Sequence, residues 1–353
     1  MKKRKKTRQI RVGPVTIGGN APISVQSMTK TDTRDVRATL AQIGRLTAAG
    51  CEIVRVAVPD EAAADALPQI VTGSAIPVIA DIHFHQKLAL AAIKAGVAGL
   101  RINPGNIGGL QKLSAIVMQA REKEISIRIG VNSGSLEKDL RKKYGSPSAA
   151  ALVESALRNI ELFERLSFRD IKISIKSPDV RSTVEAYRLL SQKTSYPLHI
   201  GVTEAGTAFS GTIKSAVGLG ILLSEGIGDT LRVSLTADPV EEVRVGFEIL
   251  KALGLRQRGP EIISCPTCGR CQIDVAAIAR DIEERLAAIK QPLKIAVMGC
   301  EVNGPGEARE ADIGIAGSRK QGVLFKKGVI IKKCPSRALL REFYREIGPL
   351  LKK

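Results

Sequence analysis

Tryptophan is absent from this chain, and aromatic residues make up only 3% of its 353 residues. Stacking platforms for single-stranded nucleic acid are therefore scarce. No helix-turn-helix, zinc-finger or RNA-binding signature takes their place. Histidine occurs only three times, so a multi-histidine metal site would consume all three. No apolar run is long enough to span a bilayer. The basic start Met1-Lys2-Lys3-Arg4-Lys5-Lys6 is not followed by the apolar core of a signal peptide. A cytoplasmic location is the expectation, and there cysteines serve as ligands or free thiols rather than in disulfides. A dinucleotide fingerprint is missing as well, since Gly218-Leu219-Gly220 lacks a third glycine and a preceding strand. Acids number 35 against 54 bases, a formal charge of +19. Part of that excess is a solvated basic tail. The remainder suits an anionic substrate or an acidic protein partner better than nucleic acid.

What the chain does have is cysteine in a pattern. Of Cys51, Cys265, Cys268, Cys271, Cys300 and Cys334, four lie close together near the C-terminus. Cys265 and Cys268 form a C-x-x-C in Ser264-Cys265-Pro266-Thr267-Cys268-Gly269-Arg270. Cys300 follows in Gly299-Cys300-Glu301-Val302-Asn303-Gly304-Pro305-Gly306-Glu307. Thiolates at this spacing bind a soft metal or an iron–sulfur cluster. Structural zinc usually takes two separated C-x-x-C pairs, and a redox dithiol needs a thioredoxin-like setting. A C-x-x-C-x-x-C run with a remote ligand favours the cluster, with Cys271 and Glu307 both available as fourth ligand. A carboxylate in that position would leave one iron able to exchange ligands and bind substrate.

Ahead of that motif, short β-type runs alternate with amphipathic helical runs. The strands are read at 23–28, 53–58, 78–82, 99–103, 126–131, 171–176, 198–203 and 230–235. Helical patterns lie between them, for example at 36–48, 86–95, 110–122, 149–166, 180–191 and 212–225, and one at 239–253 closes the series. Eight such units in about 250 residues predict an α/β fold with an N-terminal (β/α)8 barrel over 1–254. A doubly wound sheet is the rival. After the linker Gly254–Pro260 the pattern becomes a smaller α+β domain, 261–353. It holds strands at 261–263, 294–298 and 312–316, a hairpin of 322–325 with 329–332, and helices at 275–289 and 336–347.

C-terminal strand ends face the mouth of a barrel. Read that way, Arg55, Arg101, Arg128, Lys176 and Arg232 converge on one opening, with Asn132 and Ser234 beside them. Buried cations need an anion, and arginine suits bidentate phosphate contacts. The substrate is expected to carry phosphate, with the glycine-rich loop Asn103–Gly109 adding backbone donors. Glu204 is the conspicuous carboxylate there and a candidate general acid or base. Asp81, His83 and His85 resemble a metal-hydrolase motif only weakly and read more simply as packing or hydrogen-bonding residues. The last barrel helix returns the chain to the base. A barrel layer is roughly 25–30 Å tall, and a seven-residue linker reaches at most about 25 Å. A cluster domain working on the barrel would then come from a second subunit.

Several segments together resemble the bacterial 4-hydroxy-3-methylbut-2-enyl diphosphate synthase family of the non-mevalonate isoprenoid pathway. They are Val25–Thr29, Ala80–Phe84, Arg101–Gly108, Arg128–Leu136, Ser264–Arg270 and 299–317, with Asn303-Gly304-Pro305-Gly306-Glu307-Ala308 the most specific. The resemblance implies a TIM barrel plus a [4Fe–4S] domain similar to those of sulfite and nitrite reductases, in homodimers that share active sites between chains. By position it implies Cys265, Cys268, Cys300 and Glu307 as cluster ligands, with Cys271 a bystander. It implies Arg55, Arg101, Arg128, Lys176, Arg232 and Ser234 as diphosphate ligands, Asn132 as a substrate contact and Glu204 as the proton-handling residue. The implied reaction opens 2-C-methyl-D-erythritol 2,4-cyclodiphosphate reductively, with electrons from ferredoxin or flavodoxin. The alternative is a phosphate-binding barrel, similar to a pterin-dependent transferase or a hydrolase, carrying a structural zinc domain.

Overall fold

The computed structural model describes residues 1–287, 289–300 and 308–351. The chain forms two compact units, Met1–Arg256 and Gln257–Lys353.

The first unit opens with a small antiparallel hairpin, β1 (Ile10–Val12) and β2 (Val15–Ile17). Eight parallel strands follow: β3 (Ser24–Met28), β4 (Ile53–Ala57), β5 (Val78–Ile82), β6 (Gly99–Ile102), β7 (Ser126–Asn132), β8 (Ile171–Lys176), β9 (His199–Ile200) and β10 (Thr230–Leu231). They pair in the order β8-β7-β6-β5-β4-β3-β10-β9. A parallel bridge between Ile173 and Leu198, with Ile173 N–H donating to the Pro197 carbonyl at 2.9 Å, joins the two ends. That closure decides for the barrel over the doubly wound sheet. All eight expected strands are present. The last two are shorter than read, because the chain beyond Ile200 and Leu231 leaves ladder register and meets again only at the Thr207–Thr236 bridge. No helix singled out from the sequence covers Glu61–Gly73, where an internal Pro68 interrupts the helical signal. Aspartates cap several barrel helices. Asp35, Asp60, Asp179 and Asp238 each accept from a backbone N–H of the first turn.

Strand alternation sorts the barrel into two faces. Val54, Val56, Leu100, Ile102, Ile127, Ile129, Ile173 and Ile175 join the helices in one apolar core. The alternate residues point inward. At the base, Ile53 and Ile79 pack on Ile10, Val12 and Ile17 of the hairpin, which plugs that end. Above them the interior is polar and buried.

The second unit is a five-stranded sheet: β11 (Pro260–Ser264), β12 (Leu293–Met298), β13 (Ile313–Gly317), β14 (Gln321–Lys326) and β15 (Val329–Pro335), ordered as in the chain. The first three strands are parallel and the last three antiparallel. Helices Val275–Leu286 and Leu339–Ile347 cover one face, packing Ile282 and Phe343 against Ile295, Val297, Ile313 and Ile315. No described helix of either unit is long and apolar enough to cross a membrane.

Candidate functional site

The inward positions of successive barrel strands carry Arg55, Asp81, Arg101, Arg128, Lys172, Lys176 and His199, all buried. Arg232 and Ser234 follow β10 and are half-buried. All five cations expected at one opening are therefore brought together. Asp81 is their internal counter-ion. Its carboxylate lies 3.1 Å from Arg101 Nη1 and 3.5 Å from Arg55 Nε. Arg101 also lies 2.7 Å from His83 Nε2. With the Asn132 amide oriented to satisfy both its atoms, its oxygen accepts from Arg101 Nη2 at 3.1 Å. The Met28 sulfur lies against Nε and Nη2 of Arg55 at 3.2 and 2.9 Å. Arg232 faces the buried Glu242 at 3.9 Å. Nε and Nη1 of Arg128 are buried with no hydrogen-bond partner among the described residues.

Glycines make the guanidinium placement possible. A Cβ at Gly130 would stand 2.6 Å from Arg101 Nε, and one at Gly201 would stand 2.6 Å from Lys176 Nζ. Gly108 and Gly109 adopt φ of +92° and +109°, turning the loop after β6 into the start of helix Leu110–Glu122. Glu204 is exposed in the loop after β9, with a left-handed φ of 51°. Among the described residues no ion pair ties it to Lys176 or Arg232. A carboxylate with no ion pair among the described residues, at a left-handed loop position, is available for proton transfer.

The field in this cavity is lopsided. Burial, and then the neighbouring Arg232 and Arg101, push Arg55 down to about 9 against the pull of Asp81. Burial followed by Arg55 and Arg101 pushes Arg128 well below its usual range. Burial with Arg232 and Arg128 does the same to Lys176. Burial opposes ionisation of Asp81, but Arg55, the His83 contact and Arg101 outweigh it and hold the carboxyl below the usual carboxylate range. A guanidinium does not deprotonate near neutrality. The strain of packing these charges is therefore relieved by an incoming anion, and phosphate oxygens match the free edges of the arginines.

Sequence reasoning passed over Lys172, Gly130, Gly201 and Glu242, and gave Asp81 no part in balancing the arginines. Period two could have found the first, since Lys172, Ser174 and Lys176 share one face of β8. His83 is spent on Arg101, and His85 precedes helix Gln86–Lys94 without capping it through its side chain. Neither forms a metal site among the described residues.

In the second unit, β11 and β12 run parallel with Ser264 beside Val297, so Cys265 and Cys300 emerge at the same end of adjacent strands. The loop bearing Cys268 is tied back to the strand bearing Cys300. Gln272 N–H donates to the Gly299 carbonyl at 3.0 Å, and Gly299 N–H donates to Cys265 Sγ at 3.2 Å. A backbone donor aimed at a sulfur suits a cluster thiolate. The Cys271 thiol instead donates to the Ile273 carbonyl at 3.1 Å and packs on Gly299 within an apolar cluster. Glu307 lies outside the described residues. Among the described residues no three Cys, His, Asp or Glu side chains are gathered closely enough to hold a metal; Cys265, Cys268 and Cys300 are the soft donor type that an iron–sulfur group takes.

Family models match both units. The GcpE TIM-barrel domain covers residues 7–247 and the GcpE protein C-terminal domain covers residues 261–348. A 4-hydroxy-3-methylbut-2-en-1-yl diphosphate synthase (flavodoxin) of Geobacter sulfurreducens is 63% identical over 346 residues, 98% of each chain. The protein of the same name from Desulfotalea psychrophila is 59% identical over 350 residues, 98% of this chain and 96% of that one. Among solved structures, a truncated 3-deoxy-D-arabino-heptulosonate 7-phosphate synthase of Thermotoga maritima superposes with a TM-score of 0.50 at 13% identity. That match covers 70% of this chain and 94% of the other, and it shows the barrel fold alone.

Proposed function

The chain belongs to the GcpE family, and from that premise we propose that it performs the reaction of the 4-hydroxy-3-methylbut-2-en-1-yl diphosphate synthases. The enzyme is an oxidoreductase of the non-mevalonate isoprenoid pathway. It converts 2-C-methyl-D-erythritol 2,4-cyclodiphosphate, two electrons and two protons into the linear allylic diphosphate and water. One observation carries the reading: fixed cations on the inner faces of the strands converge on one mouth with unspent N–H donors on Arg128. Arg55, Arg101, Arg128, Lys176 and Arg232 hold the diphosphate, with Ser234 adding a hydroxyl. Asn132, oriented by Arg101, contacts the carbon skeleton. Glu204 delivers a proton to the departing hydroxyl oxygen.

Cys265, Cys268 and Cys300, with Glu307, hold a [4Fe–4S] cluster. When bound it supplies the electrons and an iron that accepts oxygen ligands. Flavodoxin, present in the names of both relatives, delivers those electrons, and the charge of +19 suits an acidic donor. The active unit is a homodimer. The short linker supports this. So do two exposed apolar stretches, Phe209, Ile213 and Val217 on helix Ala208–Ser224 and Val329, Ile330 and Ile331 on the edge strand β15. No observation favours the zinc-domain alternative.

The test is turnover under anaerobic conditions. Protein with a verified cluster is mixed with reduced flavodoxin and the cyclic diphosphate, and products are followed by phosphorus NMR. Two new linear diphosphate resonances are expected. A cluster-loaded, fully reduced sample that leaves the cyclic substrate intact refutes the reading.

A further inference from the structure

Below the cations at the mouth lies another that the proposed function leaves unused. Lys172 is 1% exposed on β8, and its Nζ has no hydrogen-bond partner among the described residues. Its neighbour across the ladder is Arg128 on β7. The other charged or titratable groups facing the interior are Arg55 on β4, Asp81 on β5, Arg101 on β6, Lys176 on β8 itself, His199 on β9, Arg232 after β10, and the buried Glu242, which is taken by Ser27 Oγ, the Leu235 N–H and Lys30. Asp81 is already shared by Arg55 and Arg101. The hairpin beneath contributes apolar side chains, Ile10, Val12, Val15 and Ile17. Asp229 near the base is taken by Arg4, Thr7 and the Leu198 N–H. Tyr187, from the surrounding helices, donates its hydroxyl to the His199 carbonyl. Among the described residues, then, no carboxylate serves Nζ, and guanidinium groups dominate its surroundings.

An ammonium so placed is shielded from bulk solvent and meets no acceptor among the described residues, which is the costly state of a buried charge. The arginines cannot shed their protons near neutrality, but a lysine can. Burial, then Arg128 and Arg55, all push Lys172 toward the neutral amine. An anion bound at the mouth reverses the field that these guanidinium groups exert. Lys172, Ser174 and Lys176 lie on one face of β8, a polar ladder from the interior to the mouth by which a proton can enter.

We propose that Lys172 is an uncharged amine in the free protein and takes up a proton from solvent when the cyclic diphosphate binds. It thereby acts as a charge-adjusting positioning residue beneath the arginines. This rests on the reading of the mouth as the diphosphate site.

The test is calorimetric titration of the full-length, cluster-loaded protein with the cyclic diphosphate. No reductant is present, and parallel runs use buffers of different ionisation enthalpy. Near neutral pH the wild type should take up about one proton more than Lys172→Met. Its affinity should fall with rising pH by up to about tenfold per unit, and that of the variant should fall less steeply. Lys176 and His199 face the same interior, so uptake that survives in the variant measures their share. Methionine keeps the length of the apolar stem without the amine, so the variant should melt no lower than the wild type. Equal uptake in the two proteins overturns the proposal, as does wild-type binding without any uptake, a result that needs no variant. Failure of the wild type to bind at all removes the diphosphate reading and this inference with it.

Discussion

Gly130→Ala is the sharpest probe of the arginine arrangement, because it alters the barrel interior by a single methyl group. The new Cβ would stand 2.6 Å from Arg101 Nε and 3.0 Å from Nη2. Gly130 does not occupy the left-handed region, so alanine adds no backbone strain there. The obstacle is the end of a flexible side chain, and the guanidinium swings away while the strand stays. Arg101 then loses its 3.1 Å pairing with Asp81 and its alignment with Asn132. Hydrogen bonds to charged groups are worth about 1.5–3 kcal/mol each. Losing one such phosphate contact should weaken binding of the cyclic diphosphate by roughly 10- to 100-fold. Calorimetric titration reads the affinity, and thermal melting checks the fold. Removing glycine entropy from the unfolded chain offsets some of the lost pairing, by about 0.4–1 kcal/mol. The melting point should therefore move by only a few degrees. The decisive control is the same substitution in an Arg101→Met background, where no guanidinium remains to displace and the effect should vanish. An affinity unchanged by Gly130→Ala, or a loss that persists without Arg101, would show that the arginine is not set by this contact.

Glu204→Gln keeps the size and the left-handed backbone of the residue but removes its proton. Turnover should fall by about 10²- to 10⁴-fold with the cluster spectrum unchanged, and unaltered turnover would take Glu204 out of the reaction. Cys300→Ser should lose most of the bound iron, whereas Cys271→Ser should keep it. Iron analysis giving the reverse order would make Cys271 the ligand and Cys300 the bystander. If active sites are shared between chains, mixing Glu204→Gln with Cys300→Ser should recover activity that neither homodimer has. Verified heterodimers without recovery would place each site within one chain.

The strands were legible because β-branched runs recur between amphipathic helices, and the arginines were legible because they sit in those runs. Short or irregular elements were not. The hairpin β1–β2 offers only three residues on each side of its turn, and Gly13 with a φ of +55° is a weak signal by itself. In the strand Ile171–Lys176 attention falls on Lys176 because it ends the run, although period two marks Lys172 equally. The balancing role of Asp81 was hidden for a different reason. Its pairing depends on which residues of β4 and β6 share its level, and cross-strand register is not written in any one segment. The cysteine pattern stood out by spacing alone. Its support did not, because the Gly299 N–H that meets Cys265 Sγ lies 34 residues away.

The two faces of each barrel strand do opposite work, and that division explains how so many like charges survive indoors. Aliphatic residues on the outer face stabilise the barrel through contact with the helices, and Ile53 and Ile79 do so against the hairpin plug at the base. The inner face is thereby free to carry cations that oppose folding. Strands hold those cations more rigidly than loops would, so the donors need little rearrangement when a diphosphate arrives. Asp81 limits the cost in the meantime without competing for the ligand. It meets Arg55 at Nε alone and Arg101 at Nη1 alone, while Nε and Nη1 of Arg128 have no hydrogen-bond partner among the described residues. Binding can therefore add contacts to the cluster without first breaking its internal ion pairs. Glu204 lies outside this ring of strand residues, in the exposed loop after β9 and with no ion pair among the described residues, the placement that its proposed role in proton transfer requires.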